Sequence, residues 1–296
     1  MNAVARFIPF AILGGLSCVD FHRTPEQIRT ALQGRQVQEK IVHSEEYAIH
    51  TIAIGEPGDP PVLFIHGSPG SWDNYLDVIP SRPLDQSLLI FYDRPGFGKS
   101  MPLNAMPDIR KQAKAALSVL QAYTDKPAIV VGHSYGGPVA LQLALDHPDA
   151  VKASVLLGAS VDPDLEELRW YNYAGDFLSF MIPGEMVRSN QEMFPMKTEL
   201  TEQKKQILAD DAQGSRGPAL YVLHGTSDGL VPVENANFLY SYVGPISSLT
   251  CIELLPGEGH LIPWEHPDLL ARMIGWARDG SCPQENAYNP AIRLAN

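Results

Sequence analysis

The stretch Ala128-Ile129-Val130-Val131-Gly132-His133-Ser134-Tyr135-Gly136-Gly137 constrains the fold more tightly than any other part of this chain. An apolar, β-branched run passes directly into a G-x-S-x-G pentapeptide, then into Pro138 and the apolar run Val139-Ala140-Leu141-Gln142-Leu143-Ala144-Leu145. Strand, sharp turn and buried helix must therefore follow one another without a linker. A backbone turning that sharply needs neighbours without bulk, which Gly132 and Gly136 supply, and it holds the serine between them in a strained conformation. The helix is expected from about Tyr135 to His147, with Pro138 in the first turn, where few backbone donors are needed. In a chain with 24 glycines the pentapeptide could arise by chance, and its flanking strand and helix argue against that.

The same alternation runs through most of the chain. Gln36 to Ser44 and Tyr47 to Gly55 read as an antiparallel edge. Val62–Ile65, Leu88–Tyr92, Ala128–Val131, Ala153–Leu157, Ala219–Leu223 and Leu249–Leu254 read as buried strands. Helices are expected at Ile109 to Tyr123, Tyr135 to His147, Glu234 to Val243 and Pro267 to Arg278. Strands alternating with helices predict an α/β fold, a mostly parallel sheet with helices on both faces. Between Leu157 and Ala219 the rhythm stops for about sixty residues, too long for a simple connection. This segment holds Leu168, Trp170, Tyr171, Tyr173, Phe177, Leu178, Phe180, Met181, Met186, Met193, Phe194 and Met196, then a polar helix candidate, Thr201 to Asp211. It reads as a helical cap over the carboxyl edge of the sheet. Its Met and aromatic side chains either line an apolar pocket or, for most of them, fasten the cap to the body. The expected organisation is a signal-type segment (1–18), a first core part (19–157), the cap (158–215), a second core part (216–279) and a surface tail (280–296).

A net charge of −12 without a basic stripe disfavours nucleic-acid binding. Nine histidines and three cysteines show no C-x-x-C or H-x-x-x-H spacing, so neither a metal nor a cofactor is expected. The amino terminus carries one basic residue, then the apolar run Phe7 to Ser17, ending at Cys18. Eleven residues are too few to span a bilayer as a helix, but they fit a secretory signal. Leu16-Ser17-Cys18 resembles the end of a bacterial lipoprotein signal, in which Cys18 would be lipidated, although Gly15 stands where that motif usually has Leu. A lipid-anchored or periplasmic envelope protein is the favoured expectation, which allows membrane association through the amino terminus; other export, an uncleaved anchor and a cytosolic apolar arm remain open. If Cys18 carries lipid, Cys251 and Cys282 remain, and an oxidising compartment would let them pair. Two unrelated thiols is the competing reading.

A serine hydroxyl needs a base within hydrogen-bond reach, and the base needs a partner to fix its tautomer. His260 lies in the glycine-rich turn Gly257-Glu258-Gly259-His260, after the last strand. Asp228 lies in the Gly-flanked loop Gly225-Thr226-Ser227-Asp228-Gly229, past the preceding strand. Asp162 and Asp164 are the competing carboxylates. Charge developing on an attacked carbonyl oxygen needs donors. The turn His66-Gly67-Ser68-Pro69-Gly70 offers the backbone N–H of Ser68, and the start of the helix after the serine offers that of Tyr135. The side chains of His66 and Ser68 are expected to shape the turn. Gly98-Lys99-Ser100 could end a phosphate-binding loop, but that motif needs glycine at position 93, which is Asp.

The ordered set His66 to Pro69, Asp93-Arg94-Pro95-Gly96-Phe97-Gly98-Lys99-Ser100, Gly132 to Gly137, Asp228 and His260 resembles the α/β-hydrolase family, from about Tyr47 to Arg278. The resemblance implies an eight-stranded, mostly parallel sheet with a cap inserted after the sixth strand, and a Ser134, Asp228, His260 triad. Haloalkane dehalogenases and epoxide hydrolases of that family carry aspartate at the nucleophile position, so Ser134 argues against both. Proline iminopeptidases typically have Trp where this chain has Tyr135. Carboxylic ester hydrolysis on a small molecule with an apolar portion is the expected activity. A C–C bond hydrolase, a cofactor-free perhydrolase and a non-catalytic binding protein on the same scaffold are the alternatives.

Overall fold

In a computed structural model, residues 22–282 are described, apart from 46, 169–171, 174–176 and 178. The signal-type segment with Cys18, the side chains of Trp170, Tyr171 and Leu178, and the tail beyond 282 lie outside the described residues.

The runs of β-branched and aromatic residues all form strands: β1 (Val37–Ser44), β2 (Tyr47–Ile54), β3 (Pro61–Ile65), β4 (Leu88–Tyr92), β5 (Ala128–His133), β6 (Val151–Leu157), β7 (Ala219–Gly225) and β8 (Thr250–Leu255). They make one eight-stranded sheet in the order β1-β2-β4-β3-β5-β6-β7-β8. Only the pairings of β2, with β1 and with β4, are antiparallel. Strands β3 to β8 pair in parallel, as strand-helix-strand repeats dictate. Successive side chains point to opposite faces, so Val130 and Val131, or Leu63 and Phe64, enter different cores. One core packs α2 (Ile109–Gln121) and α3 (Gly136–Asp146) on the sheet. The other packs α5 (Pro267–Asp279) and the 3-10 segment Trp72–Val78.

Before β1 stands a helix not expected from the sequence, α1 (Pro25–Leu32). Its start was readable in Thr24-Pro25-Glu26-Gln27. Thr24 Oγ1 accepts the Gln27 N–H at 3.2 Å, Gln27 Oε1 accepts the Thr24 N–H at 2.8 Å, and proline occupies the first turn.

Between β6 and β7 the polar helix expected over Thr201 to Asp211 is the second half of α4 (Gly184–Ala212), which continues through Pro195. A proline removes one N–H bond from a helix, and tertiary anchors offset that loss. Met196, Leu200 and Ile207 are buried, and Gln203 Nε2 donates to Pro138 O at 2.9 Å and to Gln142 Oε1 at 3.1 Å. The second half of α4 thus lies on α3. Few of the apolar side chains read as fastening this insertion do so. Met196 is buried and Met193 partly buried, whereas Tyr173, Phe177, Phe180 and Met181 are exposed.

Cys251 of β8 and Cys282 beyond α5 form a disulfide, with Cα atoms 5.8 Å apart. No helix of the described residues is long and apolar enough to cross a membrane.

Candidate active site

Every residue of the expected constellation sits at the carboxyl ends of β3, β5 and β7, or just after β8. Ser134 follows β5 with φ +54, the left-handed region that an L-residue enters only when its surroundings force it. The forcing is visible at its neighbours. A Cβ on Gly132 would sit 2.4 Å from the Gly136 carbonyl oxygen, and one on Gly136 would sit 2.3 Å from that of Ile65. Glycine at both positions lets β5 turn into α3 and press against β3. The turn is pinned from outside as well: the Ser134 N–H donates to Leu157 O at 3.0 Å, and Gly137 N–H to Ser134 O at 2.9 Å.

His260 is held on two sides. Its Nδ1 bonds Asp228 Oδ2 at 2.7 Å, and its carbonyl oxygen accepts from His133 Nε2 at 3.0 Å. The Asp228 side chain is buried, and its second oxygen accepts the N–H groups of Leu230 (2.9 Å) and Val231 (2.8 Å). Burial alone would raise this carboxyl, but the bond from His260 and the two N–H groups outweigh it and hold Asp228 below the usual range. It is therefore an anion whose free lone pairs are spent on fixing one imidazole nitrogen. Asp162 and Asp164 are elsewhere: the Asp162 N–H donates to Asn235 and the Asp164 carboxylate pairs with Lys204. Nε2 of His260 and Oγ of Ser134 carry no hydrogen bond among the described residues. An acceptor and a rotatable donor are thus left for each other and for a ligand.

Residue 133, the variable position before the serine, contributes more than the pentapeptide alone indicates. The His133 ring lies 4.7 Å from that of His260 and 5.4 Å from Trp264. Burial, with His260 beside it, pushes its pKa down to about 3, so the neutral ring can serve as the fixed donor that holds the 260 loop.

The 66–68 turn lies beside the serine, since a Cβ on Gly67 would sit 3.1 Å from Ser134 Cβ. His66 is neutral for the same reason as His133. Burial and then Arg94 take its pKa down to about 3, so Nδ1–H donates to Gly67 O at 2.8 Å and Nε2 accepts the Arg94 N–H at 2.8 Å. Its side chain shapes the turn. Neither the Ser68 N–H nor the Tyr135 N–H bonds another described residue, which leaves both for a ligand oxygen. The loop 93–100 folds around its own carboxylate: Asp93 accepts from Trp72 N, Lys99 N and His50 Nδ1, all at 2.9 Å. A cavity of 590 Å³ beside the 66–71 turn is lined by His22, Ser71, Trp72, Lys99, Glu185 and Arg188, among others, and not by Ser134.

The buried pair Arg94 and Glu192 was not anticipated from the sequence. Both side chains have zero exposure, and they meet in a two-pronged contact at 2.9 and 3.1 Å. They are 98 residues apart, so no local spacing announces them.

Residues 60–185 match the family model described as alpha/beta hydrolase fold. Epoxide hydrolase B of Mycobacterium tuberculosis is 30% identical over 126 residues, which are 41% of this chain and 35% of that protein. Lipase LipV of the same organism is 35% identical over 124 residues, 41% of this chain and 45% of the lipase. The chain spans less than half the length of these curated relatives. Among solved structures, a membrane phospholipase A described as a bacterial virulence factor superposes with a TM-score of 0.60 at 20% identity, covering 86% of this chain and 89% of that one. Strand order, the strained serine at the end of β5 and these likenesses agree: the chain has the α/β-hydrolase fold.

Proposed function

We propose that this protein hydrolyses carboxylic esters through an acyl-enzyme on Ser134. The observation that carries the reading is the strained serine at the end of β5 together with His260, whose Nδ1 is fixed by a buried, ionised Asp228 and whose Nε2 carries no hydrogen bond among the described residues. His260 Nε2 takes the hydroxyl proton as Oγ attacks the carbonyl carbon, and the N–H groups of Ser68 and Tyr135 receive the developing oxyanion. The imidazolium then gives its proton to the leaving alcohol. Water, deprotonated by the same nitrogen, attacks the acyl carbon and frees the acid and Ser134.

The relatives named as epoxide hydrolases do not redirect this reading. A carboxylate that opens an epoxide leaves an ester, which water can cleave. A serine that did so would leave an ether, which it cannot. Reaction at an acyl carbon suits the serine, and a C–C bond hydrolase remains the second reading because 2-hydroxymuconate semialdehyde hydrolase of Pseudomonas is 38% identical over 104 residues. Leu230 (75% exposed) and Leu261 (48%) flank the pair Asp228 and His260 with apolar surface, which supports a substrate with an apolar portion. The insertion is read as a cap, supported by the reach of α4 to the 66–68 turn through Glu192.

A fluorophosphonate probe with a panel of p-nitrophenyl esters tests the reaction. Labelling at Ser134, and ester turnover lost in Ser134→Ala, are expected; a folded protein with an inert Ser134 would leave a binding role instead. An envelope location is proposed on the disulfide, which persists in oxidising compartments. The mass of the membrane-extracted protein tests lipidation at Cys18.

A further inference from the structure

The ion pair between Arg94 and Glu192 touches both residues whose N–H groups are assigned to the oxyanion, through the Ser68 hydroxyl and the Tyr135 ring. Arg94 Nε donates to His66 O at 3.0 Å and Nη2 to Gly67 O at 3.1 Å. Its guanidinium lies 4.7 Å from the ring centroid of Tyr135 and 4.8 Å from that of Phe97. Glu192 adds the third link to the same turn, because its Oε2 accepts the Ser68 hydroxyl. Gln112 closes the network: its Oε1 accepts from Arg94 Nη1, and its Nε2 donates to Glu192 Oε1 at 2.9 Å.

The consequence follows from one peptide plane. Gly67 C=O and Ser68 N–H belong to the same trans peptide and point in opposite directions. Holding the carbonyl on the Arg94 side therefore aims the N–H away from Arg94. Rotation of that plane would break both bonds to Gly67 O, from Arg94 Nη2 and from His66 Nδ1, while the Ser68 hydroxyl bond to Glu192 holds the residue on which the plane turns. A buried ion pair is weak evidence for added stability, since apolar residues of similar volume often serve a core as well. It is stronger evidence for fixed geometry, because the guanidinium fork accepts partners only in set directions.

We propose that Glu192 and Arg94 are positioning residues for the oxyanion site, so that docking of helix α4 and alignment of the Ser68 and Tyr135 N–H groups are one event. This rests on the assignment of Ser134 as nucleophile. Without Glu192 in place the turn loses its outer clamp, and the inserted segment acts on the chemical step through the clamp and not by touching substrate.

Three variants test the clamp. Ser68→Ala keeps the peptide N–H and cuts only its link to Glu192; Glu192→Gln keeps shape and removes charge; Arg94→Lys keeps charge and removes the fork. Each is measured for kcat and KM on a p-nitrophenyl ester, for inhibition by a trifluoromethyl ketone that forms an oxyanion on Ser134, and for the urea midpoint. Glu192→Gln and Arg94→Lys are expected to lower kcat by about 10- to 100-fold, with KM within about twofold and ketone affinity falling in parallel with kcat. Ser68→Ala should lower kcat about three- to tenfold with an unchanged urea midpoint, and adding it to Glu192→Gln should cost less than the product of the two. If Glu192→Gln fails to fold, Ser68→Ala decides alone. Folded variants with wild-type kcat and ketone affinity overturn the clamp. Absence of fluorophosphonate labelling at Ser134 in the unaltered protein overturns the nucleophile assignment instead, so the two failures are distinguishable.

Discussion

Replacing Asp228 by Asn tests the proposed mechanism with little change in shape. The Asn carbonyl can keep the N–H groups of Leu230 and Val231, which now bind Oδ1 at 2.9 and 2.8 Å. Its amide nitrogen then faces His260 Nδ1, where Oδ2 now sits at 2.7 Å. A donor in that place demands an unprotonated Nδ1. The proton moves to Nε2, and the nitrogen that should take the Ser134 proton already carries one. The second loss is charge. A carboxylate and an imidazolium with charge centres about 3 to 4 Å apart attract by about 4 to 6 kcal/mol at an effective dielectric of about 20. Because the imidazolium exists only after Ser134 has been deprotonated, that attraction favours the transition state over the ground state. At about 1.4 kcal/mol per factor of ten, kcat should fall by about 10³ to 10⁴, with KM little changed. The assay is p-nitrophenyl ester turnover near neutral pH, with circular dichroism and the thermal midpoint to show that the fold is kept. Asp162→Asn, at the competing carboxylate, should leave kcat near wild type. A folded Asp228→Asn that keeps more than a tenth of wild-type kcat would refute the assigned role of Asp228.

Three further outcomes follow from the structure. Cys251 and Cys282 close a loop with a sequence separation of 31, so chain entropy puts their bond at about 3.5 to 4 kcal/mol; reduction, or Cys251→Ala with Cys282→Ala, should lower the thermal midpoint by about 7 °C, and an unchanged midpoint contradicts the link. His66 and His133 bind protons only near pH 3 in the folded state but near the ordinary 6.5 when unfolded, so the unfolded chain holds about two more protons at pH 5. Their contribution is fully present above pH 6.5 and is lost as pH falls toward 3, at about 2.7 kcal/mol per pH unit in between; urea unfolding from pH 7 to 4.5 reads that slope, and a flat profile rejects it. Leu200→Ala, at a position with no exposure where α4 meets the core, should cost about 3 kcal/mol, which guanidinium unfolding would detect.

The site's strand-end residues were legible because each signal is local. A strand running into G-x-S-x-G signals the sharp turn at Ser134 locally, although β3 and β6 hold that turn in place, and the Gly-flanked loops at 228 and 260 announce turns beyond β7 and β8. Asp228 stood out over Asp162 and Asp164 because it lies in a Gly-flanked loop directly after a strand. Where local chemistry was ambiguous, the reading was partial: the capping box Thr24 to Gln27 was there to be read, and the first half of α4 was obscured by Pro195. The aromatic residues of the insertion were weighed mainly as packing groups, yet Phe177 (80% exposed) and Phe180 (82%) face solvent. Composition gives hydrophobicity but not the partner, and a segment can be apolar without a core to enter.

Arg94 and Glu192 show a different limit. Arg94 stands in the Asp93 to Ser100 motif, but nothing in that motif or around Glu192 marks the two as partners, and the charge of each looks like that of any solvated residue until the sheet brings β4 beside β3 and α4 across their ends. Desolvation makes the pair consequential, since an isolated buried charge is prohibitive and each residue is tolerable only because the other is present. The dependence runs both ways along the chain. The DRPGFG loop can bury its arginine only when the insertion supplies Glu192, and the insertion can bury its glutamate only against a formed 66–68 turn. A motif search finds the serine because the signal for its turn lies within ten residues. The groups proposed to receive the oxyanion are aligned by a contact 98 residues wide, which becomes visible only when the chain is folded.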